Sequence, residues 1–319
     1  MFKIPTIETH DELLEIAFHR AAKIAEKTKI KNKLKRRKRH VLSKLDVVTD
    51  TINSKLNKYV KAFPSFNQLH KFDFELINLT IGIDKLRKSL GAIDWARQQV
   101  HDLREEMRKK ISRISSLKDY PKLESQRQMF YGRTASILGQ VGNELKFLNS
   151  ARNDLKKLPT IDPEVNTIVV AGYPNVGKSL LVKQISSARP RVASYPFTTQ
   201  QLNIGHIYID NEKIQIIDTP GLLDRSPEQR NKIERQAIMA LRYLANLIIF
   251  ILDPSEHCGY TIDEQKGLLK EIRRLFHDVE IIEIENKVDL YESDNDLLKI
   301  SAITGQGLDA LMVRITERF

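Results

Sequence analysis

The stretch GYPNVGKS, Gly172 to Ser179, constrains the fold of this chain more than any other segment. It follows the apolar run TIVVA and precedes LLVKQIS, whose apolar residues recur at helical spacing. Gly172 and Gly177 let the backbone wrap so that successive N–H groups point at one phosphate, and the helix behind the loop adds its positive end. A wrap of this kind works between a buried strand and a helix, so the segment predicts an α/β sheet built around it. Within the loop, Lys178 is placed to reach β- and γ-phosphate oxygens and Ser179 to ligate magnesium. Asn175, Val176, Gly177 and Leu180 complete the phosphate cradle.

The residues after Thr167 bear this out as a pattern. TIVVAG, KIQIIDTP, LIIFILDP, IIEIENK and LLKISA are short apolar runs separated by helical stretches, and NIGHIYID supplies a further strand beside KIQIID. Strands alternating with helices imply a mostly parallel sheet. Three more signatures fall at the ends of these strands, where ligands bind in open α/β sheets. Asp218-Thr219-Pro220-Gly221 offers a carboxylate for a magnesium-bound water and a Gly221 N–H for a γ-phosphate. Asn286-Lys287-Val288-Asp289 offers, in Asp289, a carboxylate that can accept from both N1–H and the N2 amino group of guanine, a donor pair that adenine lacks. Ser301, Ala302 and Ile303, in SAITG, bring backbone near the guanine O6. Together, and in this order, they specify a guanine-nucleotide site with GTP or GDP and magnesium as the expected ligands. In YPFTTQ, between the first two signatures, Thr198 and Thr199 both qualify as the threonine that closes on magnesium and the γ-phosphate. Tyr195, Pro196 and Phe197 read equally as loop packing or as a partner-facing surface.

One position is awkward. Many small GTPases place a glutamine after the glycine of the third signature to position the attacking water, whereas here the residue is Leu222. Asn175 lies three residues before Lys178. In potassium-activated GTPases of similar motif that position ligates a monovalent ion, and the alternative is that Asn175 only stabilises the loop turn. Slow hydrolysis by the isolated chain is expected.

The first half reads as helices. Thr9 and Glu12 form a capping box ahead of Leu13, Ile16, Ala17, Ala21 and Ile24. Val41, Leu45, Val48, Ile52 and Leu56 continue the spacing until Phe63-Pro64-Ser65. A third series runs from Leu86 to Ile114 and ends near Tyr120-Pro121, and a fourth pattern extends to Leu158, with Pro159 closing the half. The fold class expected is α plus α/β: an N-terminal helical bundle over residues 1–158, followed by a P-loop GTPase domain over 159–319 with a mostly parallel sheet.

Charge divides at the same place. The chain carries a formal net charge of +11, and residues 1–160 hold 34 Lys and Arg against 18 Asp and Glu, leaving 18 against 23 in the remainder. KTKIKNKLKRRKRH, Lys27 to His40, concentrates the excess. Wound as a helix it would carry cations on every face, a repulsion that phosphate backbones relieve through counterion release. Lys31, Lys33, Lys35, Arg36, Arg37, Lys38 and Arg39 are therefore candidate RNA contacts, favoured over a solvated segment or an anionic membrane surface, because only Ile30 and Leu34 could form an apolar face. The longest apolar run, LANLIIFIL, is far short of the ~20 residues a spanning helix needs. The lone Cys258 excludes an internal disulfide and suits a reducing, cytoplasmic setting. His206 and His257 have no second ligand at metal spacing.

GYPNVGKS, RPRVASYPFTT, DTPGLLDR, NKVD and SAITG resemble the Obg-like GTPases. DPSEHCGYTIDEQ and the helical first half narrow the resemblance to the nucleolar GTP-binding (Nog-type) group and its archaeal counterparts, over nearly the whole chain. The resemblance implies that Thr199 is the magnesium ligand, that the protein acts in assembly of the large ribosomal subunit, and that its helical domain contacts ribosomal RNA. Eukaryotic members carry a long C-terminal extension, whereas this sequence stops at RITERF, as expected of a compact archaeal form. The alternatives are an Obg-like GTPase in translation or stress signalling, or a nucleotide-gated binding module with negligible turnover. The sequence carries no indication of oligomeric state.

Overall fold

A computed structural model describes residues 3–25, 30–116, 120–158, 161–195, 201–224 and 232–319. The chain forms two compact units, residues 1–68 with 81–156, and residues 69–80 with 157–319.

The first unit is helical. It contains α1 (His10–Ala22), α2 (Lys33–Ala62), α4 (Ile83–Ser112), α5 (Tyr120–Gln140) and α6 (Gly142–Lys157); α3 (Lys71–Thr80) belongs to the second unit. The Thr9–Glu12 capping box opens α1 with both reciprocal bonds in place. The apolar series becomes the core: Leu13 and Ala17 of α1, Leu45, Val48, Ile52 and Leu56 of α2, and Leu86, Ile93, Val100 and Met107 of α4 are all buried. Each fully buried leucine or isoleucine contributes roughly 1.5–3 kcal/mol relative to exposure.

Two details differ from the sequence pattern. Tyr120-Pro121 opens α5 instead of closing the preceding helix, because a proline in the first turn removes only an N–H that has no helical partner. The fourth apolar series is two helices, α5 and α6, with the chain breaking at Val141. Gly142 follows, and a Cβ there would lie 2.9 Å from His10 Nδ1, so a larger residue at this point would force the His10 ring to shift.

The second unit holds a seven-stranded sheet in the order β2-β3-β4-β1-β5-β6-β7. The strands are β1 (Thr167–Ala171), β2 (Arg191–Ser194), β3 (Gln201–Ile209), β4 (Glu212–Asp218), β5 (Leu247–Leu252), β6 (Glu280–Glu285) and β7 (Leu298–Lys299). The five strands from β4 to β7 in sheet order run parallel, and β2 and β3 add antiparallel. Asp210 and Asn211, at φ +49° and +69°, make the tight turn that reverses β3 into β4. Helices α7 (Lys178–Ile185), α8 (Lys232–Arg242), α9 (Ile262–Leu275) and α10 (Leu308–Thr316) accompany the sheet. One apolar cluster joins Val169, Ile217 and Phe250 to Ile238, Leu241, Leu269 and Ile272; the other joins Ile168, Ile216 and Ile249 to Val182, Leu311 and Ile315. Strand residues of adjacent number divide between the two clusters, as alternation on a two-sided sheet requires.

Helix α3 was not legible as part of this unit. Its Phe72 and Leu76 pack in the same cluster as Leu223, Leu241 and Phe250. Among the described residues no helix is long and apolar enough to cross a membrane.

Candidate functional site

The phosphate loop connects β1 to α7 as the sequence predicts. Its conformation depends on residues with positive φ: Gly172 at +141°, Asn175 at +62° and Gly177 at +104°. Gly177 is also fixed by space, since a Cβ would stand 2.2 Å from Asn286 Nδ2. Gly177 caps α7 without any side-chain bond. Lys178 is buried, 6% exposed, and its Nζ donates to the carbonyls of Gly172 and Tyr173, each at 2.8 Å. Burial lowers its pKa, against the pull of the Asp224 and Asp218 carboxylates. Asn175 is exposed. It makes no side-chain hydrogen bond to another described residue, so its observed contribution to the loop is its left-handed backbone.

Asp218 ends β4 beside this loop and is fully buried. Its Oδ2 accepts from the Ser179 hydroxyl and from Asn203 Nδ2, the latter at 2.9 Å. Its Oδ1 is buried with no partner among the described residues. A buried, unpaired carboxylate oxygen is costly unless something positive or hydrogen-bonding meets it. With the Ser179 oxygen alongside, this is the oxygen donor set a magnesium ion with its water shell takes, and the residues fit that ion. Thr199 lies outside the described residues, as do Thr198, Pro196 and Phe197. Tyr195 is buried and donates from its hydroxyl to the Ala237 carbonyl at 2.8 Å, so it packs within the domain.

Leu222 is 1% exposed and sits in the core cluster with Leu223. It cannot face an attacking water. Gly221, at φ +75°, donates its N–H to Asp224 Oδ2 at 2.7 Å.

The residues expected to read the base assemble around Asn286, which is buried. Its Nδ2 donates to the Val176 carbonyl at 2.7 Å, and its Oδ1 accepts from the Ala302 N–H at 2.9 Å. One side chain thereby ties the phosphate loop to the SAITG loop. Asp289 is exposed, and its Oδ1 accepts from Ser301 Oγ at 2.5 Å, which orients the carboxylate. The Ala302 N–H is committed to Asn286, whereas Ile303 is 66% exposed at the loop tip. Lys287, at φ +68°, pairs with the buried Asp253 at 2.6 Å. Burial pushes the Asp253 carboxyl up, but hydrogen bonds from Lys287 and Ser255 and the Lys287 charge outweigh it and hold the pKa below the usual range. Gln265 closes the same loop, accepting from the Asp253 N–H at 2.7 Å and donating to the Asp253 and Tyr260 carbonyls.

Asn203, Asp224, Asp253 and Gln265 have no role that the sequence alone assigns. Asn203 could have been found through strand register, since it pairs opposite Asp218 across β3 and β4. Asp224 closes the conspicuous DTPGLLD, yet only geometry gives it a partner.

The basic stretch is helical from Lys33, with Asn32 as N-cap accepting from the Lys35 N–H at 2.9 Å. Lys31 precedes the helix, and Lys27 and Lys29 lie outside the described residues. Arg37 stacks over the Tyr120 ring at 4.1 Å, and Lys38 donates to the Ser112 carbonyl at 2.8 Å, so these two cations also hold the bundle together. Arg36 is partnered as well. No carboxylate pairs with Lys31, Lys33, Lys35 or Arg39 among the described residues. The first turn of α2 contains no acidic residue, so Lys31, Lys33 and Lys35 oppose the helix dipole as well as one another.

The model of the NOG1 N-terminal helical domain matches residues 2–162. An uncharacterized protein of Methanocaldococcus jannaschii is 43% identical over 297 residues, covering 92% of this chain and 81% of that protein. The chain belongs to the NOG1 family. The nucleolar GTP-binding protein 1 (NOG1) model matches residues 232–289, and a model described as ferrous iron transport protein B matches 166–260. Nucleolar GTP-binding protein 1 of Eremothecium gossypii is 31% identical over 293 residues, which span 92% of this chain but 45% of that protein. This NOG1-family chain thus spans about half the length of that relative. A crystal structure assigned to nucleolar GTP-binding protein 1 of Plasmodium falciparum is 37% identical, with a TM-score of 0.46, over 50% of this chain and 89% of that one.

Proposed function

We propose that the chain is a GTP-hydrolysing switch that docks on ribosomal RNA of the large-subunit precursor in the cytoplasm. In this reading residues 1–158 carry the docking surface and residues 159–319 the switch. The observation that carries it is Asn286, whose two hydrogen bonds join a phosphate loop to a base-reading loop in one site. Asp289 then selects guanine, Lys178 neutralises charge between the β- and γ-phosphates, and the Gly221 N–H reports the γ-phosphate. Magnesium, held by Ser179, by Asp218 through water and by Thr199, would neutralise phosphate charge when bound. Lys31, Lys33, Lys35 and Arg39, which pair with no carboxylate among the described residues, support docking on a phosphate backbone, and the nucleolar name of the relatives supports a ribosomal one.

Because Leu222 is buried in the core, help for the attacking water comes from another source. Asn175 has a free carboxamide oxygen of the kind that ligates potassium, and a group on the ribosomal particle is the other source. The buried Leu222 also favours the second reading, a nucleotide-gated binding module with negligible turnover. Single-turnover hydrolysis on purified large-subunit precursors decides between them: the switch reading expects acceleration by precursors over mature subunits, and no GTP cleavage in either condition would leave the binding module.

A further inference from the structure

The N–H that must meet a γ-phosphate is already bonded to a carboxylate of the same chain. Gly221 N donates to Asp224 Oδ2 at 2.7 Å. Asp224 is buried, 9% exposed, and its charge acts on Lys178. The residues just before it hold it in place. Leu222 and Leu223 are anchored in the core, and the Leu223 carbonyl accepts from the Gly172 N–H at 3.3 Å, which ties this turn to the phosphate loop. An anion is thus bonded to the Gly221 N–H that a triphosphate needs and a diphosphate does not, and its charge also reaches Lys178.

We propose that Asp224 is a specificity-determining residue that stands in for the γ-phosphate and sets the preference between GDP and GTP. The inference rests on the guanine-nucleotide reading of this site. Two anions cannot share one N–H, and their mutual repulsion at this burial is weakly screened. A diphosphate leaves the Gly221–Asp224 bond intact. A triphosphate must break it. Hydrogen bonds to charged groups are the stronger class, so the bond weights the equilibrium toward the diphosphate by roughly 10- to 100-fold.

The test measures dissociation constants of the full chain for GDP and for a non-hydrolysable GTP analogue, in wild type, Asp224→Ala and Asp224→Asn. Removing the carboxylate is expected to raise the relative affinity for the triphosphate by about tenfold or more. The amide keeps an acceptor without the charge, so Asp224→Asn is expected to fall between wild type and Asp224→Ala. GDP binding by the variants reports that they are folded, and Asp224→Asn, nearly isosteric, covers the case in which the alanine variant does not fold. A GDP-to-triphosphate ratio unchanged in Asp224→Asn and Asp224→Ala overturns the proposal and makes the bond a turn lock only. Failure of the wild type to bind either nucleotide would instead overturn the reading of the site.

Discussion

Replacing Gly177 with alanine tests whether the phosphate loop and the base-reading loop are one mechanical unit. Two costs can be separated. Gly177 holds φ at +104°, where an L-residue is strained by about 1–2 kcal/mol. The new Cβ would also stand 2.2 Å from Asn286 Nδ2, and Asn286 cannot yield without releasing the Val176 carbonyl or the Ala302 N–H. Each buried group left without a partner costs about 1–3 kcal/mol. The sum, about 2–5 kcal/mol, falls on the binding-competent conformation and corresponds to a loss of GDP affinity of roughly 30-fold to several thousandfold. Gly305→Ala supplies the control, because Gly305 has φ +85° with nothing within 4 Å of its added Cβ, so it bears strain without collision. Titration of a fluorescent GDP into both variants, with circular dichroism to check folding, reads the difference. Gly177→Ala binding GDP within about threefold of wild type, or no more weakly than Gly305→Ala, would refute the coupling.

Asp289→Asn is expected to shift preference from guanosine toward xanthosine nucleotides by at least about tenfold, measured by competition; unchanged GTP affinity would mean the base pocket is misassigned. If Asn175 ligates potassium, turnover is faster in potassium than in sodium at equal ionic strength and Asn175→Ser abolishes the difference, whereas equal wild-type rates remove the cation. The depressed Asp253 pKa predicts stability that is present above the ordinary carboxylate range, near pH ~4, and falls away as pH drops through the lower folded value. Acid unfolding followed by far-ultraviolet circular dichroism should accordingly be less steep below about pH 4 in Asp253→Asn, and an identical profile would count against the Asp253–Lys287 pair.

Legibility in the sequence followed how local the cause was. The phosphate loop, DTPG and NKVD were readable because each needs a particular residue within a few positions of a strand end. The buried series of α2 and α4 were readable because periodicity reports which face is apolar. It does not report the partner of that face, which is why Phe72 and Leu76 of α3 gave no sign that they pack beside Leu241 and Phe250. Nor could it reveal the break at Val141, where α6 is shaped by His10, more than a hundred residues earlier in the chain. Within the site, Asn203, Asp253 and Gln265 act through partners brought close by sheet register and loop closure. Of the basic run, the composition was plain, but only the fold separates Arg37 and Lys38, which bind within the bundle, from Lys31, Lys33, Lys35 and Arg39, which pair with no carboxylate among the described residues.

On the proposed function, nucleotide state in the second unit governs docking by the first. Cofractionation of the full chain with large-subunit precursors, loaded with a GTP analogue or with GDP, tests it directly when wild type is compared with a chain in which Lys31, Lys33, Lys35 and Arg39 are neutralised. The GTP-analogue form of the wild type is expected to sediment with precursors, the GDP form less so, and neutralisation to release both while guanine-nucleotide affinity is kept. The salt dependence of RNA binding is expected to fall by about 0.7–0.9 in logarithmic slope for each phosphate that the neutralised chain no longer meets. Equal association of both nucleotide forms, or precursor binding and a salt slope untouched by neutralisation, would contradict it.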